Sequence, residues 1–317
     1  MDNRIKHNVL ILLGPTGIGK TKTSIKLAEK LTDIEIISAD SMQIYKYMDV
    51  GTAKPEKAIL NKVKHHMIDI INPDQHFDAS KYSKLSIASI NNIINRNKIP
   101  IIVGGSGLYI SSIINPLFKG PSKNNKYREK LEEEVKTHGK NYLHEKLSKI
   151  DPISSSKIKP NDLRRIIRAL EVYKLSGKTI SSLQEKDLDK RTIFKYHIIG
   201  LKIDREYLYN RINLRVDNMF RDGFVEEVKM LRKMGYDEKL YSMQSLGYKQ
   251  INKYLNGECS KKETIDSIKT KTRNYVKRQM TWFNNKIKNI EWINLDEYDE
   301  NEVISKIIAI IMENYNR

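Results

Sequence analysis

Three observations predict an α/β class. Short apolar runs at 8–13, 34–39, 66–70 and 99–103 alternate with stretches of helical periodicity, the pattern of a parallel sheet covered on both faces. The first run feeds a glycine-rich turn that opens a helix. The alternation lapses from about 116 to 195, where charge rises and only helical patterns remain, and resumes at 196. A chain of 317 residues has room for roughly two domains. We therefore expect a core from 1–115 and 196–317, with a helical insertion domain at 116–195.

Each element has its own reason. Residues 8–13 (NVLILL) read as a buried parallel strand. Ile25, Leu27, Ala28 and Leu31 make an apolar stripe over a helix at 21–31. Strands follow at 34–39 and 66–70, then a helix at 80–97. The strand at 99–103 is stopped by Gly104 and Gly105 before another helix. In the insertion, 127–145 and 162–175 read as helices. Residues 196–203 restore a strand, followed by helices at about 204–221, 223–234, 243–255 and 261–288. A strand at 291–295 and a helix at 302–315 end the pattern.

Composition excludes several classes. Apolar residues make up 39% and charged residues 30%, with a mean hydropathy of −0.57, wet for a globular chain but compatible with a sizeable core. No apolar run approaches the roughly 18 residues of a membrane span. The N-terminal apolar run is short and flows into the glycine turn, so no secretory signal is read. Cys259 is the one cysteine and can form neither an internal disulfide nor a metal site alone. A soluble, cytoplasmic chain is expected.

The net charge is +18 and unevenly spread. Residues 116–200 hold 20 basic and 11 acidic side chains, a net +9, and 261–288 hold nine and two, a net +7. Lys-rich composition explains part of this. Its concentration in two segments favours a polyanionic partner, nucleic acid above all.

The chemistry begins at Gly14-Pro15-Thr16-Gly17-Ile18-Gly19-Lys20-Thr21, which fits GxxxxGK[ST] at every fixed position and lies between a strand and a helix. Such a P-loop turns backbone N–H groups toward phosphate oxygens, with a helix N-terminus behind them. Lys20 is then the terminal-phosphate cation and the Thr21 hydroxyl a Mg²⁺ ligand. The fold expected is accordingly P-loop NTPase-like. Asp40 follows the strand at 34–39, so it either faces the ligand crevice or caps a turn. Ser106, after Gly104-Gly105, either caps a helix or binds substrate. No unambiguous Walker B signature accompanies the loop, which weakens an ATPase reading.

Arg164, Arg165 and Arg168 crowd one helical turn and need an anion or the nearby Asp162 and Glu171. Arg211 and Arg215 are spaced i, i+4 and reach a phosphate if their helix borders the crevice. In Arg273-to-Phe283 (RNYVKRQMTWF), basic residues alternate with aromatics that read as core. His65 and His66 point to opposite faces of a strand, so a zinc pair is rejected.

Together these blocks resemble the tRNA dimethylallyltransferase (tRNA isopentenyltransferase) family, in its bacterial type. The stretches are GPTGIGKT, SADSMQIYKYMDVGTAKP, HHMIDI, IIVGGSGLYI, PNDLRRIIRALEVYKLSGK, RINLRVDNMFRDGFVEEV, SLGYKQ and RNYVKRQMTWF, in the family's order. Two positions depart from its usual pattern: Ser106 stands for Thr, and Gln250 for Glu. The resemblance implies transfer of a dimethylallyl group from dimethylallyl diphosphate to the exocyclic amine of the adenosine 3′ of the tRNA anticodon. It implies Asp40, Ser106 and Arg215 as catalytic residues, and Gly14 to Thr21 as the diphosphate site with Mg²⁺ on Thr21. It further implies tRNA contacts at Asp40, Ser41, Met42, Gln43, Ser106, Arg128, Arg164, Arg165, Ile166, Ile167 and Arg168, from a monomer that closes its insertion over the anticodon arm. Three other readings share parts of the pattern: a P-loop small-molecule or nucleotide kinase, an RNA-binding protein that uses the loop as a switch, and prenyl transfer to free AMP. The +9 of 116–200 argues against the last.

Overall fold

The computed structural model describes residues 7–115, 118, 120–139, 141–187 and 194–315. Two compact units emerge, Met1–Ile114 with Ile193–Arg317, and Asn115–Thr192. The boundary expected at 116 falls among residues outside those described.

The first unit is built on β1 (His7–Leu13), α1 (Lys20–Lys30), β2 (Ile34–Ala39), α2 (Lys57–Lys62), β3 (His65–His66), α3 (Ala79–Asn95), β4 (Ile99–Gly104) and α4 (Gly107–Ile114). Six strands form one sheet in the order β3-β2-β4-β1-β5-β6, every pair parallel; β5 is Phe194–Lys202 and β6 is Ile290–Asn294. Burial on both faces explains why the strands read as continuous apolar runs. In β1, Val9, Ile11 and Leu13 enter the core on one face, and Leu10 and Leu12 the core on the other.

The second unit holds α5 (Asn125–His138), α6 (Tyr142–Ile150), α7 (Pro152–Lys157), α8 (Leu163–Ser176) and α9 (Ile180–Asp187) around its own core of Leu131, Leu143, Leu147, Ile166 and Leu170. Back in the first unit follow α10 (Arg205–Arg221), α11 (Phe224–Lys233), α12 (Tyr248–Leu255), α13 (Lys261–Lys286) and, after β6, α14 (Glu300–Asn314). Among the described residues, no helix is long and apolar enough to cross a membrane.

Four expectations are corrected. The helix expected at 127–145 is two, because Gly139 takes φ +85° and ends α5; residue 140 lies outside the described residues. The strand expected at 66–70 pairs only at His65–His66, because Met67 and Asp69 are left-handed, at φ 66° and 54°. The helix expected at 243–255 begins at Tyr248, after Gly247 at φ +93°. Finally, β5 starts two residues earlier than read, paired with β1 from His7–Phe194 onward.

Candidate active site

Strand order assembles the site. Because β4 lies between β2 and β1, three turns at the carboxyl edge of the sheet become neighbours. They are the glycine loop after β1, residues 104–106 after β4, and residues 40–43 after β2. Gly19, at φ +110°, lets the loop turn directly into α1, a backbone shape that other residues resist.

A cavity of about 340 Å³ opens here, lined by Thr16, Gly17, Gly19, Lys20 and Thr21, by Asp40 and Gln43, and by Arg211 and Arg215 from α10. The i, i+4 arginine pair thus does border the crevice. Lys20 donates to the carbonyls of Gly14 (2.9 Å) and Pro15 (2.8 Å). Burial pushes its ammonium down to about 7; Asp40 works against that shift and Arg215 adds to it. Burial also lowers Arg215 from its usual range, opposed by the charge of Asp40. Ile18 faces the core beneath the loop, so that position offers a ligand only its backbone.

A second cavity, of about 240 Å³, is lined by Ser41 and Met42, by Ile212 and Met219 of α10, by Phe224, and by Ile268, Thr272 and Tyr275 of α13. Thr16, Asp40, Thr52 and Arg215 line both cavities. A polar, cationic chamber and a more apolar, aromatic one therefore share a wall that carries one carboxylate and one guanidinium.

Both readings of Asp40 hold at once. Its Oδ1 accepts from the N–H groups of Met42 (2.8 Å) and Gln43 (3.4 Å), a turn of the Asx kind, while its carboxylate lines both chambers. Ser106 is buried and lines neither chamber; its Oγ accepts from Ser41 N–H at 3.0 Å. It therefore lies behind the turn that carries Asp40. Gln43 accepts from the Ser38 hydroxyl at 3.0 Å on the floor of the first chamber.

The other predicted residues belong to the second unit. Arg128 and Arg168 both bind the buried carboxylate of Glu171, at 2.7 and 2.6 Å. Burial raises the Glu171 carboxyl, but hydrogen bonds from Arg128, the Asn124 N–H and Arg168 outweigh that and hold it at about 2. Ile166 and Ile167 are in the core of this unit, so their side chains face away from any RNA. Of the turn at 164–168, Arg164 and Arg165 are the exposed members.

Sequence reasoning missed three residues. Tyr275, read as core, lines the second chamber; burial and Asp40 push its phenol up to about 12, with a hydrogen bond to Ser106 pulling the other way. Gln279 accepts from Thr16 N–H (3.0 Å) and donates to Gly105 O (2.8 Å). Glu227 accepts from the N–H groups of Asp49, Val50 and Gly51 at 2.7, 2.6 and 3.1 Å, and from the Tyr248 hydroxyl at 2.7 Å. It thereby fixes the loop that carries Thr52. A signal for all three was present: Tyr275, Gln279 and Glu227 are polar interruptions in otherwise apolar helix stripes. Gln250, the departure from the family's Glu, accepts from Gly247 N–H at 2.8 Å at the start of α12, a bond that either residue can make.

His65 binds the Val63 carbonyl and His66 binds Glu35, and no cluster of metal-ligating side chains occurs among the described residues. A Mg²⁺ ion carried largely by substrate phosphates needs no such cluster.

Comparison with known proteins agrees with this geometry. The family model described as IPP transferase matches residues 43–286. The chain is 48% identical over 300 residues to the tRNA dimethylallyltransferase of Acetivibrio thermocellus, covering 94% of this chain and 95% of that protein. It is 46% identical over 305 residues to that of Alkaliphilus oremlandii, covering 96% of each. Its fold resembles the crystal structure of the full-length tRNA isopentenylpyrophosphate transferase of Bacillus halodurans, with a TM-score of 0.72 and 39% identity over 98% of this chain and 97% of that one. A eukaryotic dimethylallyltransferase acting on tRNA aligns with a TM-score of 0.80 and 28% identity, over 98% and 80% of the two chains. The P-loop-like sheet, the joined chambers and these relatives lead to one conclusion: the chain belongs to the tRNA dimethylallyltransferase (IPP transferase) family.

Proposed function

We propose that this protein transfers the dimethylallyl group of dimethylallyl diphosphate to the exocyclic amine of the adenosine 3′ of a tRNA anticodon. The observation that carries the reading is the wall shared by the two chambers, where Asp40 and Arg215 face both. A diphosphate fits the chamber with the loop amides, Lys20, Arg211 and Arg215. The prenyl chain and adenine fit the apolar side, where Met219, Phe224 and Tyr275 are found.

In the reaction, the bond between the allylic carbon and the diphosphate oxygen breaks as the bond from the amine nitrogen to that carbon forms. The diphosphate leaves with the bonding pair, and its growing charge is met by the loop N–H groups, Lys20 and Arg215. The attacking amine is weakly nucleophilic because its lone pair is delocalised, and it must lose a proton. Asp40 stands where it can take that proton. The adenine leaves its stack to reach the chamber. The Thr21 hydroxyl is a hard oxygen donor on the chamber wall and suits Mg²⁺ held mainly by the diphosphate. When bound, that ion neutralises leaving-group charge.

The exposed Arg164 and Arg165 and the positive charge carried by 116–200 are assigned to the anticodon arm. The protein is taken to work as a cytoplasmic monomer. The test is mass analysis of anticodon-loop nucleosides after incubation with dimethylallyl diphosphate, Mg²⁺ and unmodified tRNA. Isopentenyladenosine without added ATP is expected; a requirement for ATP, or the absence of that product, overturns the reading.

A further inference from the structure

The parallel ladder between β1 and β4 ends at Leu13 and Gly104. Beyond it one segment enters the glycine loop and the other the turn that carries Ser106, with Gly105 still close to Gly14 O. No ladder pair joins them from there on, yet both turns line the first chamber. Gln279 links them. It is 5% exposed on α13, and its single amide answers one backbone group from each chain: Oε1 accepts from Thr16 N–H and Nε2 donates to Gly105 O. The fit is close, since a Cβ on Gly105 would lie 2.4 Å from Nε2.

The bridge continues toward the reacting groups. Next to Gly105, Ser106 donates its N–H to Ala39 O at 3.0 Å and accepts from Ser41 N–H at 3.0 Å, which brackets Asp40 from both sides. A path of hydrogen bonds and intervening peptide links therefore runs from the glycine loop through Gln279 and the Gly105–Ser106 peptide to the residues on either side of Asp40. In a displacement reaction the leaving oxygen, the carbon and the attacking nitrogen must line up. Errors of about 1 Å in such geometry can cost about a hundredfold in rate.

We propose that Gln279 is a positioning residue that acts as an extra rung beyond the sheet, setting the distance between the leaving-group loop and the base-bearing turn. The inference rests on the function proposed above. It predicts that Gln279 governs the chemical step and leaves tRNA binding alone. Gln279→Ala should lower the single-turnover rate of transfer about 10- to 100-fold at saturating substrates. Its Kd for tRNA should stay within about twofold, and its melting midpoint should fall by only the few degrees that two unpaired backbone groups cost. Gln279→Glu preserves volume and the acceptor for Thr16 but cannot donate to Gly105, so it should lose most of the same rate while remaining folded.

Gly105→Ala supplies a second readout that a merely structural role would not reproduce. By displacing Nε2 it should cost about as much as losing Gln279. In the Gln279→Ala background the same change should cost clearly less, because only its 3.2 Å approach to Gly14 O then remains. Multiplicative effects in the double variant, a Gln279→Ala rate within about threefold of wild type, or loss of tRNA affinity in step with rate would each overturn the proposal. Wild-type protein that forms no isopentenyladenosine would instead overturn the function, which separates the two failures.

Discussion

Asp40 shows how one side chain serves structure and chemistry together. Because Oδ1 already caps the turn through Met42 and Gln43, Asp40→Asn keeps that cap through its own carbonyl oxygen and removes only the basic carboxylate. Single-turnover transfer should fall by about 10²–10⁴-fold, the usual share of general-base catalysis, with much smaller changes in Kd for tRNA and diphosphate. A rate within threefold of wild type would leave Asp40 with the turn alone. Lys20 gives a prediction in pH. Burial lowers it to about 7 in the free protein, and a neighbouring diphosphate favours the ammonium and raises it again. The ligand thus selects the protonated form. Below about pH 7 the proton is already present; above it, affinity for dimethylallyl diphosphate should fall by up to about tenfold per pH unit until the pKa of the complex is reached. Calorimetric titrations across that range should show the slope in wild type and lose it in Lys20→Ala. A flat wild-type profile would place the proton elsewhere.

At the level of elements, the clearest lever is the junction of α5 and α8. Glu171 is fully buried and holds Arg128, Arg168 and the Asn124 N–H. Removing its charge strands two guanidiniums, so Glu171→Gln should destabilise the second unit by about 3 kcal/mol. The assay has a built-in control, since Trp282 and Trp292 are the two tryptophans of the chain and both lie in the first unit. Circular dichroism should report an earlier transition that tryptophan fluorescence does not follow; coincident shifts would show that the units melt as one. The pH dependence has a definite sign. The folded Glu171 carboxyl is depressed to about 2, so its contribution is complete above the unfolded value of about 4.3 and is lost as pH falls toward 2. Elements of this kind were legible where periodicity was long. The strands β1, β2 and β4 and the long helices α10 and α13 follow from their apolar runs and stripes. The short α2, α7 and α9 do not, since six to eight residues give too few turns for a stripe to show. The glycine loop and Asp40 were readable because their position after a strand carries meaning. The bridging amide of Gln279 was not, because its partners are backbone groups 263 and 174 residues away.

Over the molecule as a whole, charge and long-range connection matter most. With a net charge of +18, concentrated at 116–200 and 261–288, tRNA affinity should fall by about 0.7–0.9 log units per log unit of salt for each phosphate neutralised. Filter binding across a salt series should show a shallower slope for an Arg164→Gln, Arg165→Gln double variant, while dimethylallyl diphosphate affinity stays the same; an unchanged slope would remove these arginines from the RNA surface. Glu227 ties distant parts of the sequence in another way. Its carboxylate gathers three successive amides from a loop about 177 residues earlier, much as the glycine loop is built to gather a phosphate. The chain thus carries an imprint of an anion and supplies the anion itself. Emptying the imprint with Glu227→Ala should leave a receptor for small external carboxylates, so formate or acetate should restore part of the lost thermal stability and of the transfer rate, and chloride at equal ionic strength should not.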